Sequence, residues 1–101
     1  MEVSTKCQNR RLELYLKGEL DHHGARGILQ QMEKYIEQNL PMSLVLDFSG
    51  VTFMDSSGIA VVLRGWQRMK ELDGSVVLRH VAPQPKKVFD AAHINRMVTV
   101  E

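Results

Sequence analysis

The stretch SLVLDFSGVTFMDSSGIAVVL, Ser43 to Leu63, changes its hydrophobic period partway along, and that change decides the fold. Leu44-Val45-Leu46-Asp47-Phe48 is nearly all apolar, which reads as a strand covered on both faces, as in a parallel sheet. Ile59, Val62, Leu63, Trp66 and Met69 then step by three and four, the spacing of an amphipathic helix. The turn between them ends in Asp55-Ser56-Ser57-Gly58, which sets an acid, adjacent serines and a glycine at a helix start. A helix start leaves backbone N–H groups without partners, and Asp or Ser is the usual cap. If Asp55 caps, Met54 and Ile59 form a hydrophobic staple and Ser56 takes the first helical position with its hydroxyl free. If Ser56 caps, its hydroxyl is partly used. The Asp55 register is the expectation.

Upstream, Leu12, Leu14 and Leu16 alternate with Arg11, Glu13, Tyr15 and Lys17, a strand with one buried face. Val3, Thr5 and Cys7 alternate likewise, and Gln8-Asn9-Arg10 suits the hairpin turn between these strands. Gly18 is expected to end the second strand, with GELDHHGA leading into a helix. Its apolar stripe is Ile28, Leu29, Met32, Tyr35, Ile36 and Leu40, and Asn39 and Pro41 mark its end. Downstream, Asp73-Gly74 turns the chain into a strand from Ser75 to Val81. Pro83 and Pro85 open a short helix with Val88, Phe89 and Ala92 inward, and Met97 to Val100 form a last strand. The order is ββαβαβαβ. Strands separated by helices run parallel, so the expectation is an α/β sandwich: a mixed sheet with helices packed on it. Sites in such sheets form where strand C-terminal ends meet helix N-termini, and Asp55-Ser56-Ser57 lies at such a place.

Composition narrows the function. A chain of 101 residues is expected to be one domain, residues 1–101. Thirteen basic against twelve acidic residues leave a formal charge of +1, which gives no electrostatic reason to expect nucleic acid or an anionic membrane. The single cysteine, Cys7, forms no internal disulfide, which fits a reducing cytosol. No apolar run approaches the length of a signal peptide core or a membrane span, so a cytoplasmic location is expected.

The other chemical patterns are weak. His22-His23 are adjacent and lack a third ligand at a recognised spacing, so no metal is expected. No phosphate-binding loop followed by Lys-Ser/Thr is present, and no cofactor is expected. A nucleophilic Ser56 needs a base, for which His80 is the candidate, and Met54 stands where a Gly-x-Ser-x-Gly elbow has its first glycine. Capping alone accounts for the local Asp-Ser-Ser pattern.

Two separated motifs carry a resemblance. GELDHH (Gly18–His23) and SGVTFMDSSGIAVVL (Ser49–Leu63) resemble the anti-sigma factor antagonists of the STAS domain family, and most of all its sporulation anti-sigma-F branch. The likeness runs over nearly the whole chain in the same element order, and Val88 to Asp90 also fits. It implies a regulatory module that is not an enzyme. The first serine of the motif, Ser56 here, is implied to accept phosphate from an ATP-using anti-sigma factor that is a serine kinase. The unmodified form binds that kinase and frees the sigma factor, the phosphorylated form does not bind, and a protein phosphatase restores it. Glu19, Asp21, His22, Asp55, Ser57 and Gly58 are implied to flank the serine or to meet the partner. The family pattern also has a helix after the last strand, with no counterpart before Glu101. Two alternatives stand beside this reading: a STAS module of a stress-signalling complex, and a weak nucleotide-binding domain.

Overall fold

The computed structural model describes every residue from Met1 to Glu101. Its elements are β1 (Glu2–Gln8), β2 (Arg11–Leu20), α1 (His22–Asn39), β3 (Ser43–Met54), α2 (Ser57–Glu71), β4 (Ser75–Arg79), α3 (Pro83–Ala91), a 3₁₀ turn (Ile94–Arg96) and β5 (Thr99–Val100). The order is the ββαβαβαβ read from the sequence. The sheet runs β1-β2-β3-β4-β5, antiparallel in the first pair and parallel in the rest.

The parallel register lines residues up in rows across the sheet. Leu14, Leu46 and Leu78 share one row, and Leu12, Leu44 and Val76 another. These side chains form one core with Ile28, Met32 and Ile36 of α1, Val61, Val62 and Met69 of α2, and Phe89 of α3. All three helices therefore pack on the leucine face. Phe48 meets Phe89 edge-on at 5.4 Å between ring centroids, which fixes α3 against β3.

The opposite face carries the alternate row Tyr15, Asp47 and Arg79. The Arg79 guanidinium lies across it, bonded to Asp47 Oδ2 at 3.0 Å and to Glu13 Oε1 at 2.8 Å, and 5.9 Å from the centre of the Tyr15 ring. Side chains, not a helix, cover the middle of this face, and Val45 and Asp47 are buried beneath them.

Several local expectations need correction. β2 does not stop at Gly18. It passes through a register shift there and continues to Leu20. Gly18 has φ +116°, a backbone state that L side chains rarely adopt, so the glycine bends the strand without ending it. β3 likewise continues through Ser49-Gly50-Val51 to Met54, paired with the extension of β2. β1 is an edge strand on which Thr5 and Cys7 are exposed, because only β2 covers it. Leu40 leaves the α1 stripe: it is the left-handed C-cap, 48% exposed, ahead of Pro41. On α2 the deepest residues are Val61, Val62, Gly65 and Met69, whereas Ile59, Leu63 and Trp66 are half-buried. Leu63 lines an open groove with Leu29 of α1, and Ile59 lines another with Val88 of α3. Val88 and Ala92 are only half-buried, while Pro85 joins Phe89 inside. β4 ends at Arg79, and β5 is limited to Thr99–Val100 by the 3₁₀ turn before it.

Candidate functional site

The extended pair of strands brings the two sequence motifs to one edge. Glu19 pairs with Phe53 and Leu20 with Met54, and the Asp55 N–H donates to the Leu20 carbonyl at 3.2 Å. From these neighbouring points the chain enters α1 through Asp21 and α2 through Asp55-Ser56. Both helices thus begin side by side at the C-terminal ends of β2 and β3.

Each start has its own carboxylate cap. Asp21 Oδ1 accepts from the Gly24 N–H at 2.8 Å, and Asp55 Oδ1 accepts from the Ser57 N–H at 2.7 Å. The Gly58 and Ile59 N–H groups donate to the Asp55 and Ser56 carbonyls, both at 3.1 Å. Ser56 already has helical dihedrals, φ −63° and ψ −14°, and its hydroxyl makes no capping bond. That side chain is exposed and unengaged, while Ser57 is half-buried and Gly58 buried. Gly58 is required by packing: a Cβ there would collide with the Met54 side chain and lie 3.2 Å from Leu20 Cδ2. Glu19 and His22 are exposed at the same edge and Asp21 is half-buried.

A second clamp was not visible in the sequence. The Gln84 amide, at the start of α3, accepts from the Met54 N–H at 2.9 Å and donates to the Met54 carbonyl at 2.7 Å. It completes the bonding of the last β3 residue where β4 no longer reaches. The residue before Asp55 is therefore held from both sides, by β2 and by Gln84. Ser56 stands on a rigid base, and a rigid base presents one hydroxyl in one place.

Beside Ser56 runs an open groove of about 500 Å³ between α2 and α3, lined by Ser56, Ile59, Lys87, Val88, Ala91 and Ala92. His80 is no base for Ser56. Its Nδ1 sits 3.0 Å from Asp47 Oδ2, and no hydrogen bond joins it to the serine. No group of three His, Cys, Asp or Glu side chains is placed to hold a metal ion, and His22 and His23 lie on the exposed first turn of α1.

The Asp47 cluster is structural. Burial alone would raise this carboxyl, but hydrogen bonds from Ser49, Arg79 and His80 outweigh it and bring the pKa down to about 2, from an ordinary 3.8. Burial also raises Glu13, and its bond and charge contact with Arg79 more than reverse that. The Arg79 guanidinium is held protonated chiefly by its bond to Glu13 and next by that to Asp47. A carboxyl depressed in the folded state stabilises above its unfolded pKa and loses that stability as pH falls through its folded pKa. Asp47 should thus contribute fully above about pH 4 and progressively less toward pH 2, a change of about 2 kcal/mol. The gap in unfolding free energy between the parent and Asp47→Asn, measured by urea titration, should shrink by that amount across this window. A gap constant from pH 7 to pH 2 would show that the ion cluster adds nothing.

The STAS domain family model matches residues 2–101. The chain is 34% identical over 74 residues to the anti-sigma F factor antagonist of Lysinibacillus sphaericus, covering 73% of this chain but 63% of that relative's length. It is 28% identical to the protein of the same description from Paenibacillus polymyxa, covering 99% of this chain and 87% of the relative. Among solved structures it resembles the anti-sigma factor antagonist SpoIIAA in its unphosphorylated form. The TM-score is 0.85 at 26% identity, over 99% of this chain and 88% of that one. The phosphorylated form of SpoIIAA, described as a Bacillus cell fate determinant, superposes with a TM-score of 0.76 at 25% identity, over 99% and 91% of the two chains.

Proposed function

The chain belongs to the STAS domain family, and from that premise we propose that it is an anti-sigma factor antagonist switched by phosphorylation of Ser56. The observation that carries this reading is the exposed, unengaged Ser56 hydroxyl at the start of α2, on a loop clamped by Leu20 and Gln84. Likeness to a protein solved in both unphosphorylated and phosphorylated forms supports it. The unmodified chain binds an anti-sigma factor across the edge formed by Glu19, Asp21, His22, Asp55, Ser57 and Gly58, and the sigma factor is released.

The anti-sigma factor is also the kinase. It transfers the γ-phosphoryl group of ATP to Ser56 Oγ: the Oγ–P bond forms, the bond to the bridging oxygen breaks, ADP leaves, and the hydroxyl proton passes to a base of the kinase. A phosphatase reverses the state by water attack, returning inorganic phosphate and the free serine. The chain itself catalyses neither step.

The charge change explains why one group suffices. Phosphate adds about −1.5 to −2 charges at neutral pH. A helix N-terminus tolerates that charge, so the fold is kept. A desolvated contact surface does not, and the carboxylates of Asp21 and Asp55 add like-charge repulsion.

Successive side chains at a helix start diverge by about 100°, so a kinase distinguishes Ser56 from Ser57. Incubation with the anti-sigma kinase of the same genome and ATP should add one phosphate, mapped to Ser56 by peptide mass. Ser57→Ala should still accept it and Ser56→Ala should not. Phosphate on Ser57 alone would overturn the assignment.

A further inference from the structure

The groove beside Ser56 is apolar along its walls, formed by Ile59, Val88, Ala91 and Ala92. Its polar lining residues are Ser56 at the start of α2 and Lys87 of α3. The neighbouring Lys86 is tied to Asp90 at 3.2 Å, four residues along its own helix. Lys87 makes no ion pair. An unpaired cation thus shares one groove with the hydroxyl that is read above as the phosphate acceptor.

We propose that Lys87 is the resident counter-ion of the phosphorylated state: its ammonium closes on the phosphate carried by Ser56 and ties the start of α2 to α3. This rests on Ser56 being the modified residue and goes beyond it to how the modified chain holds its charge. Lysine suits the task because its flexible stem lies along apolar surface while the ammonium seeks an anion. Both residues are exposed, so the attraction rests on the double charge of the phosphate facing an unpaired ammonium. No bond forms or breaks and no partner protein is needed. Before phosphorylation the ammonium has no ion-pair partner. Afterwards it draws the phosphate toward α3, away from Asp55 on the same loop and from Glu19 and Asp21 at the end of β2 and the start of α1. The modified form is thereby a defined conformation of the loop as well as a more negative one. A phosphatase must part this pair to reach the phosphorus.

The other charged groups near the start of α2 are Asp55 on its own loop, Glu19 at the end of β2, and Asp21 and His22 at the start of α1, while Lys86 is held by Asp90 on its own helix. The carboxylates raise the second phosphate pKa and Lys87 lowers it. Phosphoserine incorporated at position 56 during translation gives the modified chain without any kinase. Its second ionisation can be followed by phosphorus NMR across pH in the parent, Lys87→Gln, Lys87→Arg and Lys86→Gln. All three substitutions are on exposed positions of α3 and leave the core untouched. The expected second pKa is about 0.5 pH unit higher in Lys87→Gln than in the parent, with Lys87→Arg and Lys86→Gln close to the parent. Equal values in the parent and Lys87→Gln, or an equal rise in Lys86→Gln, would overturn the proposal. The two readings fail separately. A Lys87-dependent titration with no transfer from the kinase sinks the switch and keeps the pair, and the converse result sinks the pair alone.

Discussion

Ser56→Asp should melt at the parent's temperature and bind the anti-sigma factor at least about a hundredfold more weakly, a loss of roughly 3 kcal/mol. The fold is spared because the substituted side chain is exposed and joins the positive end of a helix dipole, where an acid is welcome. Binding is lost because a partner must desolvate the new carboxylate at an edge that already carries Asp21 and Asp55. Ser56→Ala removes the acceptor without adding charge. It should bind as the parent does and never be released by ATP. Calorimetric titration with the anti-sigma factor, beside thermal melting, separates the two effects. A Ser56→Asp chain that binds as tightly as the parent would place Ser56 outside the contact surface.

Val62→Asp should damage the fold severely. Val62 is 1% exposed on the sheet-facing side of α2. The helix sits close there: a Cβ on Gly65, one turn along, would lie 3.1 Å from Leu44 Cδ2 and 3.2 Å from Met32 Sδ. Val62 belongs to the apolar core cluster, so the new carboxylate is buried among apolar groups or the helix lifts off. The cost should be about 4 kcal/mol, roughly a 20 °C fall in melting temperature for a domain of this size. An unchanged melting temperature would mean that α2 presents its opposite face to the sheet.

The element order and the location of the serine turn were legible because they rest on local period. Leucines alternating through Leu12, Leu14 and Leu16, and apolar steps of three and four after Gly58, need no knowledge of the partner they pack on. What escaped reading depends on pairing across the chain. Asp47 in an apolar strand resembles an acid approaching a turn. Only the register of β3 against β4 shows that Arg79 lies beside it and that His80 follows at bonding distance. A signal was present: an acid amid Leu44, Val45, Leu46 and Phe48 must find a donor if that strand is central. Gln84 carried no such signal. Between Pro83 and Pro85 it reads as ordinary helix-start sequence, and its role as a stand-in for a missing strand depends on a contact thirty positions back along the chain. Gly18 was misread because a glycine that bends a strand and one that ends it look alike until the neighbouring strand is placed. The burial of Val45 and Asp47 was legible as a strand covered on both faces, but the covering group, the Arg79 side chain, was not.

On the proposed switch, one phosphate on Ser56 reverses the choice of partner by the anti-sigma factor. Fluorescence anisotropy of a labelled sigma factor, first bound to its anti-sigma factor, measures that choice in a single cuvette. Adding the unmodified chain should release the sigma factor and lower the anisotropy. ATP should then restore it on the time course with which phosphate appears on Ser56, and in Ser56→Ala the sigma factor should stay free. Failure of the unmodified chain to release sigma factor, or release that persists after Ser56 is fully phosphorylated, would contradict the account.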